Sequence, residues 1–103
     1  MSPEERKARD DIARLCKSLF HRGYSVGTAG NVSARLTDGI LMTPTNARLG
    51  ELDPDRISKL APDGTHVGGD RPTKEVFLHR AFYDTRPEAG AVVHLHSTWA
   101  TAL

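Results

Sequence analysis

The sequence is short of what a disulfide scaffold, a membrane span or a nucleic-acid-binding arm requires. It has one cysteine, Cys16, which excludes an internal disulfide and agrees with a reducing cytoplasm. No run approaches the ~20 apolar residues of a membrane helix, and residues 1–11 are charged where an export signal would be apolar. Neither sign of charge dominates. Fourteen Lys and Arg stand against thirteen Asp and Glu, the formal net charge is +1, and both signs are spread along the chain. That argues against nucleic acid or an anionic membrane as partner. There is no internal repeat and no low-complexity tract. What is present is 103 residues, 38% hydrophobic and 26% charged, enough for one soluble domain with a modest core.

Local patterns give the order of elements. Ser2 can cap a helix, Pro3 suits its first position and Glu5 can return a capping-box bond. Ala8, Ile12, Leu15, Cys16 and Leu19 then recur on one face until Gly23 ends the helix. Segments 32–36 and 40–43 flank Thr37-Asp38-Gly39 and read as a hairpin, and 57–60 and 65–67 around Pro62-Asp63-Gly64 as a second. Pro72 opens a further helix whose apolar residues Phe77, Leu78, Ala81 and Phe82 share one side until Arg86-Pro87. Segment 91–96 is apolar except at His94 and His96, the pattern of a strand buried on both faces, and Ser97 reads as the cap of a last helix over 98–103. This order predicts an α/β or α+β layered domain, helices against a mainly antiparallel sheet.

Few residues are suited to chemistry. His94 and His96 lie two apart on the predicted strand, so both imidazoles leave the same face and converge on one point, as a metal requires. Two imidazoles in an otherwise apolar strand need coordination or explicit hydrogen bonds to be buried. Glu75 falls in the first turn of the second predicted helix, where it either complements the helix dipole or aims a carboxylate at the metal. Gly27-Thr28-Ala29-Gly30-Asn31, Thr43-Pro44-Thr45-Asn46 and Thr73-Lys74 offer backbone N–H groups, hydroxyls, amides and one ammonium, the donors a phosphate monoester takes. No Gly-Lys-Ser/Thr follows the first of these, so it is not a nucleotide P-loop. His21 and His66 read as structural, and His79, one turn after Glu75, has at most a supporting role. Cys16 and Trp99 read as packing.

Gly27-Thr28-Ala29-Gly30-Asn31-Val32-Ser33, Thr43-Pro44-Thr45, Pro72-Thr73-Lys74-Glu75 and Ala91-Val92-Val93-His94-Leu95-His96, in this order and spacing, resemble the class II aldolase/adducin family. Within it, Thr45-Asn46-Ala47, Gly69-Asp70-Arg71-Pro72-Thr73-Lys74-Glu75 and His94-Leu95-His96-Ser97-Thr98 look most like the 3-oxo-tetronate 4-phosphate decarboxylase branch. The resemblance implies a three-layer α/β domain, of which residues 1–103 are the N-terminal portion. It further implies Zn²⁺ or a similar divalent ion on His94, His96 and Glu75, with Glu75 also the acid/base. Phosphate would be held by Asn31, Thr45, Asn46, Thr73 and Lys74. The implied activity is that of a cytoplasmic lyase of carbohydrate metabolism, decarboxylating a 3-oxo-tetronate 4-phosphate or cleaving a sugar phosphate by a retro-aldol step through a metal-stabilised enediolate. Fuculose-phosphate aldolases tend to carry two serines where this chain has Thr73 and Lys74, and an added ammonium suits a sugar-acid phosphate.

The family supplies a further metal-binding His well beyond His96 and a C-terminal Tyr that serves a neighbouring subunit, in a homotetramer with sites at its interfaces. These 103 residues alone are therefore expected to bind metal weakly, to be inactive and to leave the edge of segment 91–96 uncovered. The alternatives are a non-catalytic, adducin-like interaction module and an unrelated metal-storage or sensing protein.

Overall fold

A computed structural model of the chain describes residues 1–25 and 27–95. Helix α1 (Pro3–His21) starts as its sequence dictates: the Ser2 Oγ accepts from the Glu5 N–H at 3.1 Å, with Pro3 in the first turn. It ends in a Schellman arrangement, with Gly23 at φ 79°, its N–H on the Phe20 carbonyl and the Tyr24 N–H on the Leu19 carbonyl. Glu5 does not close a capping box; its carboxylate accepts instead from Arg9 at 2.9 Å and Lys59 at 2.6 Å. Burial opposes the Glu5 charge, but these two donors outweigh it and hold the pKa below the ordinary carboxylate range.

Strands β1 (Asn31–Leu36) and β2 (Gly39–Met42) form the first hairpin, and β3 (Ser58–Leu60) and β4 (His66–Gly68) the second. With β5 (Ala91–His94) they make one antiparallel sheet in the order β4-β3-β2-β1-β5. Strand alternation divides the sheet into two faces. Val32, Ala34 and Leu36 of β1, with Leu41 opposite Ala34, meet α1 in a core completed by Ile12, Cys16, Leu49 and Ile57. Burial pushes the Cys16 thiol up to about 12, so it packs as a small apolar group. Asn31, Ser33 and Arg35 leave the other face, where α2 (Val76–Thr85) lies through His79 and Tyr83. The result is the expected three-layer α/β arrangement.

Four local expectations change. Leu15, assigned to the apolar stripe of α1, is 41% exposed. Pro72 does not open α2: it pairs with Pro44 in an isolated antiparallel bridge, and the helix begins at Val76. Nor does α2 bury the predicted face, since Phe77 is 72% and Phe82 43% exposed, whereas His79 and Tyr83 are buried. The sheet surface beneath α2 carries Asn31 and Ser33, and only polar side chains with a hydrogen-bonding end satisfy them there. Strand β5, expected to be covered on both faces, is the sheet's edge among the described residues and alternates exposed and half-buried positions.

Candidate active site

The site forms where the start of β1, the end of β5 and the approach to α2 meet. Antiparallel pairing sets Asn31 opposite His94. Gly30, just before, takes φ 89°, and a Cβ on it would lie 3.1 Å from Leu95 Cδ2 and 3.2 Å from the His94 carbonyl oxygen. Glycine thus lets the loop turn directly against β5. Glu75 is the N-cap residue of α2, but its side chain makes no cap bond. It turns across the sheet, where Oε2 receives Asn31 Nδ2 and His94 Nδ1, each at 2.7 Å. This differs from the expected first-turn placement, and the difference brings the carboxylate onto the strand histidine. A histidine whose Nδ1 is directed at a carboxylate in this way has Nε2 as the nitrogen that can turn to a metal.

The phosphate-binding candidates gather beside Glu75. A cavity of about 300 Å³ is lined by Gly30, Asn31, Thr45, Asn46, Thr73 and Lys74 among others, with Glu75 in its wall. The Pro44–Pro72 bridge holds the two loops together, the Thr45 N–H donating to the Arg71 carbonyl at 2.8 Å. Asn46 takes a left-handed φ of 58° in a turn closed by the Ala47 N–H on the Pro44 carbonyl. Asn31 is buried and its amide is already engaged by Glu75, whereas Lys74 is exposed at the cavity mouth.

Behind Asn31 runs a chain of groups in which sequence reading gave His79 at most a supporting role and did not single out Tyr83. His79 Nε2 meets Asn31 Oδ1, its Nδ1 lies 2.6 Å from Ser33 Oγ, and that oxygen lies 2.8 Å from the Tyr83 hydroxyl. Burial, aided by the nearby His94 and opposed by Glu75, lowers the His79 pKa to about 4. Burial raises that of Tyr83. Both are therefore neutral at pH 7. The available signals were the i, i+2 spacing of Asn31 and Ser33 on a strand and the i, i+4 spacing of His79 and Tyr83 on a helix.

A carboxylate and an imidazole are donor types suited to a divalent ion, and a catalytic zinc takes three protein ligands. Among the described residues no group of three or more His, Cys, Asp or Glu gathers to hold one. His96, the other predicted ligand, lies outside the described residues, as do Ser97, Trp99 and the predicted last helix. No helix among the described residues is long and apolar enough to cross a membrane.

Residues 10–103 match the family described as Class II Aldolase and Adducin N-terminal domain. The chain is 57% identical over 99 residues to the 3-oxo-tetronate 4-phosphate decarboxylase of Cupriavidus necator, covering 96% of this chain and 46% of that protein. It is 39% identical over 100 residues to the L-fuculose phosphate aldolase of Escherichia coli K12, covering 97% of this chain and 46% of that protein. Among solved structures, YgbL from Escherichia coli superposes with a TM-score of 0.91 at 49% identity, over 95% of this chain and 48% of that one. The chain spans about half the length of the relatives it matches.

Proposed function

Since the chain belongs to the class II aldolase and adducin family, we propose that it carries the phosphate cradle and acid/base carboxylate of a metal-dependent sugar-phosphate lyase. Its favoured substrate is a 3-oxo-tetronate 4-phosphate, decarboxylated, with retro-aldol cleavage of a sugar phosphate as the related reaction. The observation that carries this is the position of Glu75, hydrogen-bonded to Asn31 and His94 in the wall of the cavity that Thr45, Asn46, Thr73 and Lys74 line.

In this reading residues 1–103 are the N-terminal portion of one domain, working in the cytoplasm within a homotetramer. Backbone and side-chain donors of the Gly30–Asn31, Thr45–Asn46 and Thr73–Lys74 loops bind the phosphate and fix the reacting carbon near Glu75. The Lys74 ammonium favours a substrate that also carries a carboxylate. Glu75 moves the proton, giving it to or taking it from the carbon at which the bond breaks. His94, His96 and Glu75 are the residues that would hold Zn²⁺ or a similar ion, which when bound supplies Lewis-acid stabilisation of negative charge on the substrate oxygens.

The test is turnover by the protein expressed in its complete reading frame, followed as CO₂ release from 3-oxo-tetronate 4-phosphate and as cleavage of neutral sugar phosphates. Glu75→Gln is expected to lower kcat by about 10²–10⁴, the usual worth of a positioned acid/base. Turnover unchanged by that substitution would remove Glu75 from the chemistry. Absence of both turnover and bound metal in the unsubstituted protein would favour the adducin-like interaction role.

A further inference from the structure

Asn31 lies between two partners that together decide which way its amide faces. Glu75 as a carboxylate only accepts, so Asn31 presents its NH₂ to Oε2 at 2.7 Å. Asn31 Oδ1 is then the acceptor for His79 Nε2–H. With the ring proton on Nε2 facing Asn31, Nδ1 is left as the acceptor, and the Ser33 hydroxyl donates to it at 2.6 Å. The Tyr83 hydroxyl donates in turn to Ser33 Oγ at 2.8 Å. Arg35 steadies the far end, its guanidinium 4.7 Å from the Tyr83 ring centre and its Nη2 2.9 Å from the Tyr83 carbonyl oxygen. All four polar side chains are buried, so none exchanges its partner for water at small cost.

From this arrangement we propose that His79 is a positioning residue for the Glu75 site: held as its Nε2–H tautomer by Ser33 and Tyr83, it fixes the Asn31 amide with an N–H facing Glu75. The two ends of an amide are nearly the same size, and the His79 donor is what makes them inequivalent here. A reversed amide would set Asn31 Oδ1 against the carboxylate, acceptor against acceptor, and its NH₂ against the donor on His79. The consequence for the chemistry is that Glu75 is oriented on one oxygen before substrate arrives. This rests on the lyase reading of the Glu75 site.

Two measurements on the protein in its complete reading frame test it. Nitrogen NMR of labelled histidine rings, with His79 assigned by its loss in His79→Gln, is expected to show a neutral ring protonated on Nε2. The Nδ1–H tautomer would overturn the proposal whatever the activity of any variant. Kinetics of two substitutions supply the second. A glutamine reaches far enough to place an amide where Nε2 stands, whereas the amide of asparagine reaches only the place of Nδ1. His79→Gln is therefore expected to keep kcat within about threefold, and His79→Asn to lose about 10–100-fold with KM nearly unchanged. Equal losses in both, or none in His79→Asn, would show that the donor at Nε2 is not what matters. Should the unsubstituted protein lack lyase turnover, the lyase reading falls, and the tautomer alone decides whether His79 orients Asn31.

Discussion

His79 has no exposed surface, and keeping an imidazole neutral there links folding to pH. The groups around it are Ser33 in contact, with Tyr83 and then Arg35 beyond it, and Asn31 in contact, with Glu75 and then His94 beyond it. The ring's pKa falls from an ordinary 6.5 to about 4 on folding. Between those values the unfolded chain holds the extra proton, so stability rises with pH. The contribution is complete above the unfolded value and is lost as pH falls towards the folded one. From pH 7 to pH 5 the loss is expected to be about 2 kcal/mol. Urea unfolding at the two pH values checks this, and a pH slope as steep in His79→Gln would place the acid sensitivity elsewhere. The sequence marked His94 because an imidazole is scarce in an apolar strand, and Glu75 because of its place at a helix start and the family resemblance. They did not reveal that Ser33 meets His79 and Tyr83, which lie 46 and 50 residues further along the chain.

Among the elements, α1 was legible because its start, stripe and stop are all local chemistry. Helix α2 was not, because which face it buries depends on the sheet surface it meets, and β1 presents Asn31 and Ser33 to it. Its start was misjudged for a related reason: Pro72 is held by pairing with Pro44, a contact made across the chain. How α1 is fastened to the far hairpin also needed the third dimension. Arg9, 3% exposed, donates to Glu5 at 2.9 Å and to the carbonyls of Pro54 and Ile57 at 2.9 and 2.8 Å, while Lys59 of β3 donates to the same Glu5 carboxylate. Arg9→Met is expected to destabilise by about 3–5 kcal/mol, since it leaves a buried carboxylate and two carbonyls short of donors. A loss below about 1 kcal/mol in urea unfolding would mean that water reaches those groups.

At the scale of the molecule, α1 and α2 pack on opposite faces of one sheet, and the faces are unlike. The α1 side is apolar, with Leu41, Val32, Cys16 and Ile57 essentially without exposed surface. The α2 side is held by the polar chain from Tyr83 to Glu75 and leaves Phe77 outside. Leu41→Ala is therefore expected to cost about 2–5 kcal/mol. Phe77→Ser, which sequence periodicity alone would rank as comparably damaging, is expected to change stability by less than about 0.5 kcal/mol. Thermal or urea unfolding of the two variants compares them directly, and a large loss in Phe77→Ser would return that side chain to a core.

The sequence by itself determined the start and stop of α1, the turns of the two hairpins and the strand that carries His94, because each depends on neighbours a few positions away. Tertiary structure decided that β5 pairs with β1, which sets His94 opposite Asn31. It also decided that Glu75 turns from its helix end to meet both, and that a buried histidine stands behind them. Those are contacts between segments far apart in the chain, fixed by strand register and by the need of every buried polar group for a partner.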